Sequence, residues 1–211
     1  MKKSMLRTAM LGSSEGKGMV IRDVLLGCKR GHLAFIKPAL IVVDSPNAGV
    51  IKTALRMGFS KRDIAVIARE KFRTQEAFGG KILCECKKRR IDLITLFGFR
   101  PMIPSSVVDT YRSMIFGLYS APYDEKYPGS LRMYALELQH AILHLVKSPD
   151  FRFRMTEVCF PRITKKINEG DILGVRKVEI WPGYTPRMVG VQAKPFVQSL
   201  AVEMLLRITQ R

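Results

Sequence analysis

A glycine- and serine-rich segment follows the first apolar run of the chain. Residues 11–18 read Leu-Gly-Ser-Ser-Glu-Gly-Lys-Gly and come directly before a predicted helix. Backbone N–H groups exposed at a helix N-terminus suit a phosphate. The spacing fits neither the Walker A loop nor the dinucleotide fingerprint, and a tight turn alone would also favour glycine. We predict an anion site formed by Gly12, Ser13, Ser14, Gly16 and Lys17.

Two other pairs have spacings that metal or redox sites use. His140 and His144 lie four residues apart on a predicted helix, which puts both imidazoles on one face. No third ligand or motif glutamate accompanies them, so we interpret them as a half-buried pair and expect no metal. Cys84 and Cys86 lie two apart on another predicted helix and point to nearly opposite sides. The four cysteines have no framework spacing, which favours free thiols in a reducing compartment.

The charge is the unusual bulk property. Thirty-six Lys and Arg residues stand against eighteen Asp and Glu residues, which gives a net charge of +18. Such a surplus attracts polyanions, among them RNA, anionic membranes and phosphorylated ligands. The densest run is Lys87–Arg90 at a predicted helix C-terminus, where it would also complement the helix dipole. RNA or ribonucleoprotein is therefore the partner we predict, with a merely solvated charge as the alternative.

The bulk composition predicts one folded domain over residues 1–211. A chain of this length buries enough apolar surface to fold without disulfides or metal. No apolar run approaches the ~20 residues that span a bilayer, and Arg7 interrupts any signal-peptide core. We expect no membrane partner and a location in the cytoplasm or an organelle interior.

The elements that position these residues alternate between strands and helices in the first half. The predicted strands cover residues 5–11, 39–43, 63–68, 93–97 and 114–119. Amphipathic helices separate the first four of them, with Gly31 and Gly58 at helix ends. This order is typical of right-handed βαβ crossovers and a parallel sheet with helices on both faces.

The second half follows a different pattern. A helical face is predicted at 134–145, followed by extended stretches at 154–163 and 172–181. Two strands joined without a helix predict an antiparallel hairpin at the sheet edge. An amphipathic helix at 197–208, preceded by Pro195, is predicted to close the fold. Beyond the hairpin, Trp181 and Tyr184 are interpreted as strand-end packing, with stacking on a base left open.

Three stretches of the chain carry recognisable motifs. In residues 96–104 a predicted strand runs through Gly-Phe into a loop. Residues 126–129 contain a Tyr-Pro-Gly turn, and residues 168–173 read Asn-Glu-Gly-Asp-Ile-Leu. These stretches resemble segments of the glycinamide ribonucleotide formyltransferase family, the last of them its late Asp-x-Gly segment, and the matches run in the family's order from about residue 5 to 208. The resemblance implies a Rossmann-like α/β formyltransferase fold and a folate pocket near Phe99, Arg100, Met102 and Ile103.

The same resemblance implies a catalytic asparagine, a histidine two residues on and a later aspartate. These groups hold the oxyanion and move protons as a formyl group passes from 10-formyltetrahydrofolate to an amine. The positions that match them are occupied by Gly117, Tyr119 and Lys165. A shift of one residue gives Leu118, Ser120 and Lys166 instead. Neither register restores the family residues, so we interpret the site as degenerate, with recruitment of His140 or His144 as the alternative.

The sequence thus predicts a non-catalytic binding protein, a pseudoenzyme, for RNA, a ribonucleoprotein or a phosphorylated ligand. No cofactor is expected for this function. The alternative is an active folate-dependent formyltransferase of the purine-biosynthesis type, with a rearranged site and 10-formyltetrahydrofolate as cofactor.

Overall fold

The computed structural model describes residues 5–13, 18–120, 155–166, 169–181 and 183–210. Several predictions fall outside these residues: the helix at 134–145 with His140 and His144, and the turn at 126–129. Three members of the predicted anion site, Ser14, Gly16 and Lys17, also lie outside them.

Five parallel strands form the central sheet. They are β1 (Leu6–Gly12), β2 (Ile36–Val43), β3 (Ile64–Val66), β4 (Leu93–Phe97) and β5 (Ile115–Leu118). Their order is β3-β2-β1-β4-β5, so the first strand lies at the centre. Every pairing is parallel, which confirms the predicted sheet.

Helices cover both faces of this sheet. The described helices are α1 (Met19–Lys29), α2 (Gly49–Arg56), α3 (Gln75–Lys88), α4 (Ser105–Thr110) and α5 (Pro186–Gln210). In β1, Met10 packs into one core cluster with α1, α2 and α5, while Ala9 and Leu11 pack into a second cluster with α3 and α4. All three side chains are fully buried. Since successive strand residues point to opposite faces, an uninterrupted apolar strand requires this double cover.

Strand β2 begins earlier than predicted because a bulge accommodates its proline. Thr8 pairs with Pro38, but Ala9 pairs with Leu40, so one residue of β2 has no partner on β1. Proline donates no ladder hydrogen bond and is tolerated at such irregularities. The strand therefore starts at Ile36 instead of the predicted Ala39.

An antiparallel hairpin extends the edge beside β5, as predicted. It consists of β6 (Met155–Pro161) and β7 (Ile172–Glu179). Tyr119 and Cys159 exchange two backbone hydrogen bonds of 2.9 Å. The N–H of Ile163 also donates to the carbonyl of Ile115 at 2.9 Å. These bonds attach the hairpin along the last parallel strand, from its first residue to just beyond its carboxyl end.

The prediction that Pro195 precedes the closing helix was wrong. Helix α5 begins at Pro186 and continues through Pro195, which is exposed. Thr185 caps the new start, because its hydroxyl accepts a hydrogen bond from the N–H of Met188 at 3.3 Å. A proline at the first helical position needs no N–H donor. Burial of Val189 before Pro195 and of Leu200 after it outweighs the one missing backbone bond.

A cluster of charged groups holds the C-terminal end of α3 to the turn before β3. Glu85, which is 8% exposed, accepts hydrogen bonds from Arg89 at 2.7 Å and from Lys81 and Lys88 at 3.0 Å. Arg89 also reaches Asp63 at 3.3 Å. These cations, Arg89 first, lower the pKa of Glu85 to about 2. Part of the basic run is therefore structural.

Acid should destabilise the fold through Glu85. The pKa of Glu85 in the folded protein lies below its ordinary value of 4.5. The contribution of Glu85 to the free energy of unfolding is therefore complete above pH 4.5 and is lost as the pH falls towards 2. At neutral pH, Glu85→Gln should lower the free energy of unfolding by roughly 1–3 kcal/mol. The free energy of unfolding of this variant should also fall less steeply as the pH is lowered. Urea unfolding at stepped pH measures both effects, with Glu76→Gln on the exposed side of the same helix as the control. Equal behaviour of the two variants would contradict the ion-pair assignment.

Two neighbouring glycines of α3 provide a test variant and a control variant for the packing of this helix. A methyl at Gly79 would lie 2.8 Å from Cβ of Pro104, whereas one at Gly80 meets nothing within 4 Å. Gly79→Ala should destabilise by roughly 1–3 kcal/mol, since the proline ring before α4 cannot rotate away. Gly80→Ala should stabilise by up to about 1 kcal/mol through helix propensity. Thermal melts of both variants test the packing of α3 on α4, and a gain from Gly79→Ala would refute it.

Candidate functional site

The carboxyl edge of the parallel sheet is where the sequence places the candidate site. In open α/β sheets, ligands bind beyond the carboxyl ends of the strands. Strands β1, β4 and β5 lie side by side and end here at Gly12, Phe97 and Leu118. Helices α1, α2 and α4 begin at this edge, which brings their positive dipole ends to it.

The loops after β1 and β4 are tied together by one hydrogen bond. The hydroxyl of Ser13 accepts from the backbone N–H of Arg100 at 2.7 Å, and Ser13 is only 1% exposed. The structure thus brings Gly12 and Ser13 of the predicted anion site beside Arg100 of the predicted folate pocket. Ser13 serves the connection between the two loops, and the anion site as a whole stays a prediction.

Gly12 is tightly packed against the helices beside it. A Cβ atom at Gly12 would lie 3.1 Å from Val50 Cγ2 and 3.3 Å from Ile21 Cδ1, so the side-chain position faces α1 and α2. Gly18, which begins α1, has a φ of 69°. Only glycine adopts this left-handed conformation at little cost. Both glycines are therefore explained by the turn and its packing, whatever the loop binds.

The four residues of the predicted folate pocket are in different environments. Phe99 is buried in the core cluster formed with α3 and α4, and Ile103 packs against that same cluster. Met102 is 54% exposed, and Arg100 is half-buried. Gly98, with a φ of 75°, makes the turn that leads from β4 into this loop. The pocket itself remains a prediction.

The carboxyl end of β5 is filled by the chain's own side chains. A Cβ atom at Gly117 would lie 2.7 Å from Cε2 of the Tyr119 ring and 2.9 Å from Cδ1 of Ile163. Real Cβ contacts essentially never approach so closely. Gly117 is buried, and Ile163 is held in place by its backbone bond to Ile115. A side chain at position 117 has no room unless Tyr119 and Ile163 move.

The position that matches the family aspartate carries an ion-paired lysine. Lys165 Nζ lies 2.8 Å from Asp109 Oδ2, which joins the loop after β6 to α4. Both side chains are about half exposed, so the pair contributes little stability. The neighbouring Lys166 pairs with Glu169 at 3.3 Å. In the shifted register, Leu118 packs against the core and Ser120 is half-buried.

General bases and thiolates are scarce at this edge among the described residues. The one described histidine, His32, lies between α1 and β2, at the opposite edge of the sheet. Burial raises the pKa of Cys159 to about 12 and that of Cys86 to about 11. Both thiols stay protonated at neutral pH and are poor nucleophiles. The described part of the chain also contains no group of three candidate metal ligands.

The sequence analysis missed one polar segment at this edge. Asp44, Ser45 and Asn47 follow the buried strand β2 and precede α2. The Ser45 hydroxyl accepts the backbone N–H of Asn47 at 3.3 Å, which shapes the loop. Polar residues directly after an apolar strand were the signal that would have identified it.

The comparisons with known proteins are structural. No protein-family model matches the chain, and no curated protein matches it in sequence. Glycinamide ribonucleotide transformylase 1 from Symbiobacterium toebii is similar with a TM-score of 0.83 at 18% identity, over 98% of this chain and 88% of that one. The enzyme of that name from Geobacillus kaustophilus gives 0.78 at 25% identity, over 96% and 99%.

A formyltetrahydrofolate deformylase from Pseudomonas syringae pv. tomato is also similar, with a TM-score of 0.75 at 13% identity. The match covers 97% of this chain and 61% of that one. The chain therefore has the Rossmann-like formyltransferase fold, as predicted. These structures support the resemblance to the glycinamide ribonucleotide formyltransferase family. Among the described helices, none is both long and apolar enough to cross a membrane.

A double-mutant cycle tests the filled position at Gly117. Gly117→Ala should lower the free energy of unfolding by roughly 1–3 kcal/mol because the methyl overlaps the Tyr119 ring. Tyr119→Ala removes the obstacle, so the double variant should be more stable than the summed losses by roughly 0.5–3 kcal/mol. The control is a second cycle that combines Tyr119→Ala with Gly80→Ala, in which the changes in the free energy of unfolding should add. Additive energies in the first cycle, measured by urea unfolding, would show that the ring does not fill this space.

Proposed function

We propose that this chain is a non-catalytic binding protein built on the formyltransferase fold, with RNA or a ribonucleoprotein as its partner. The observation that carries the proposal is the filled position at Gly117. In the family that the chain resembles, the matching residue holds the oxyanion of the reacting formyl group. Here the ring of Tyr119 and the side chain of Ile163 occupy the space that such a residue needs.

The loss of catalysis follows from three substitutions that act together. Gly117 has no side-chain donor for an oxyanion. Tyr119 offers a phenol, which is a far weaker general base than the imidazole of a histidine. Lys165 places a cation where the family has a carboxylate, and it is already paired with Asp109 at 2.8 Å. Proton transfer and oxyanion stabilisation would both need other residues.

The choice of RNA follows from the net charge of +18. Each phosphate that Lys or Arg neutralises releases counterions, which favours binding at low salt. The same proposal includes a phosphorylated small molecule as a second ligand of this protein. Its site would be the loop after β1, where α1 presents its N-terminus.

The second candidate is an active folate-dependent formyltransferase with a rearranged site. The bond between Ser13 and the Arg100 amide favours it, because it joins the predicted anion loop to the predicted folate loop. The similar solved structures are named as a transformylase and as a formyltetrahydrofolate deformylase. In this case 10-formyltetrahydrofolate would be the cofactor, held near Phe99–Ile103.

Salt-dependent RNA binding and calorimetry separate the two functions. Fluorescence anisotropy with labelled single-stranded RNA should show an association constant that falls linearly with salt on logarithmic axes, with a slope of about −0.7 per phosphate contacted. Calorimetric titration with a reduced folate should give no binding heat, and incubation of the protein with 10-formyltetrahydrofolate and a ribonucleotide phosphate amine should give no formyl transfer. Undetectable RNA binding at low salt would contradict the first function. Turnover of the formyl donor would establish the second.

A further inference from the structure

The amino edge of the parallel sheet carries a basic surface that the proposed function does not assign. We define the amino-edge surface as residues 29–35, 56–63, 87–92 and 111–114, which end the helices and lead into the next strands. Its exposed cations are Lys29, Arg30, Arg56, Lys61, Arg62, Lys87, Lys88, Arg90 and Arg112.

The carboxylates of this surface are already used in the structure. Asp63 is paired with Arg89 at 3.3 Å and lies 3.8 Å from Arg62. Asp92 accepts the backbone N–H of Arg7 at 2.8 Å. Of the nine exposed cations, Arg62, Lys88 and Arg112 are ion-paired with Asp63, Glu85 and Asp109, and the other six take part in no described ion pair. Outside the α-helices, the connecting segments of this edge hold six cations (Arg30, Lys61, Arg62, Arg89, Arg90, Arg112) and two carboxylates, whereas the described connecting segments at the carboxyl edge hold four cations (Arg69, Lys71, Arg73, Arg100) and two carboxylates (Asp44, Glu70).

Hydrogen bonds hold the segments of the amino-edge surface in place. Arg89 donates to the carbonyl of Arg62 at 2.6 Å, and Arg7 donates to the carbonyl of Arg89 at 2.6 Å. The Tyr111 hydroxyl donates to the carbonyl of Ile91 at 3.1 Å. The exposed cations thus stand on a fixed framework, which lowers the entropy lost when a ligand binds.

The ends of three helices differ in one informative position. After α1 and α2, the backbone turns through Gly31 and Gly58, with φ of 79° and 76°. After α3, the same turn is made by Arg90 with a φ of 48°. Arg90 donates to Lys87 at 3.0 Å and Ile91 to Cys86 at 3.1 Å, which is the Schellman pattern that normally has glycine at this position.

An arginine in this conformation is disfavoured relative to glycine. Cations near a helix C-terminus interact favourably with the helix dipole. Lys87 and Lys88, within the last turn of α3, already provide this interaction. It gives no reason for a strained arginine beyond the end of the helix. Arg90 is exposed and has no ion-pair partner among the described residues.

We infer that the amino-edge surface binds the phosphate backbone of RNA, with Arg90 as a contact whose charge offsets its unfavourable backbone. This inference rests on the proposed RNA function and locates it on the edge opposite the former catalytic site. Binding there would leave the loops after β1 and β4 accessible.

Two triple variants with the same loss of charge test the surface. One carries Arg30→Gln, Lys87→Gln and Arg90→Gln, and the control carries Lys71→Gln, Arg73→Gln and Lys194→Gln. None of these six side chains takes part in a described ion pair, and all are exposed. The first variant should weaken binding of labelled single-stranded RNA by about tenfold or more and reduce the salt slope by roughly 2, while the control should change affinity by less than about threefold.

The possible results have distinct meanings. No RNA binding by the wild type would overturn the proposed function and this surface together. Wild-type binding with equal losses in the two triples would overturn only the surface. The third result concerns anionic phospholipid vesicles. If the wild type binds them but not RNA, and only the first triple variant loses this binding, the surface is a membrane site and the RNA assignment is refuted.

A single variant separates function from stability. Arg90→Gly should raise the melting temperature because glycine suits the left-handed turn, and it should weaken RNA binding at the same time. Gly31 and Gly58 provide the internal standard for this geometry. A variant with raised stability and unchanged affinity would remove Arg90 from the interface.

Discussion

Burial of the parallel sheet on both faces is the constraint that determines where polar chemistry can occur. Met10 points into one apolar cluster and Leu11 into the other, so neither face of β1 can hold a solvated ligand. The polar groups are left to the two edges. Helices that follow parallel strands begin at the carboxyl edge and end at the amino edge. The two edges therefore differ in the sign of the helix dipole that they present.

The filled space beside Gly117 involves only the end of β5 and the adjoining hairpin. At the carboxyl end of β5, glycine at 117 allows the Tyr119 ring and Ile163 to close over the strand. Two backbone bonds of 2.9 Å between Tyr119 and Cys159 hold the hairpin against the same strand end. The sheet and its helices have the same fold as the similar transformylases.

The sequence predicted the sheet and its hairpin well because apolar periodicity and glycine positions encode them locally. The closing helix was misjudged because Pro195 was taken as a boundary, whereas the cap at Thr185 and burial of Val189 determine the start. The bulge at Pro38 is likewise invisible without its partner strand. At the candidate site, the sequence analysis matched the family's catalytic positions to Gly117, Tyr119 and Lys165, and this match stays a prediction. The sequence could not show that Tyr119 covers Gly117, since this contact depends on three-dimensional packing.

A crystal structure grown with a saturating reduced folate tests the filled site most directly. If the carboxyl end of β5 is closed, we expect the Tyr119 ring in van der Waals contact with Gly117 Cα and Lys165 Nζ still beside Asp109. No folate should then lie at that strand end. A structure in which Tyr119 has rotated away and N10 of the folate lies against Gly117 would contradict the proposed loss of catalysis.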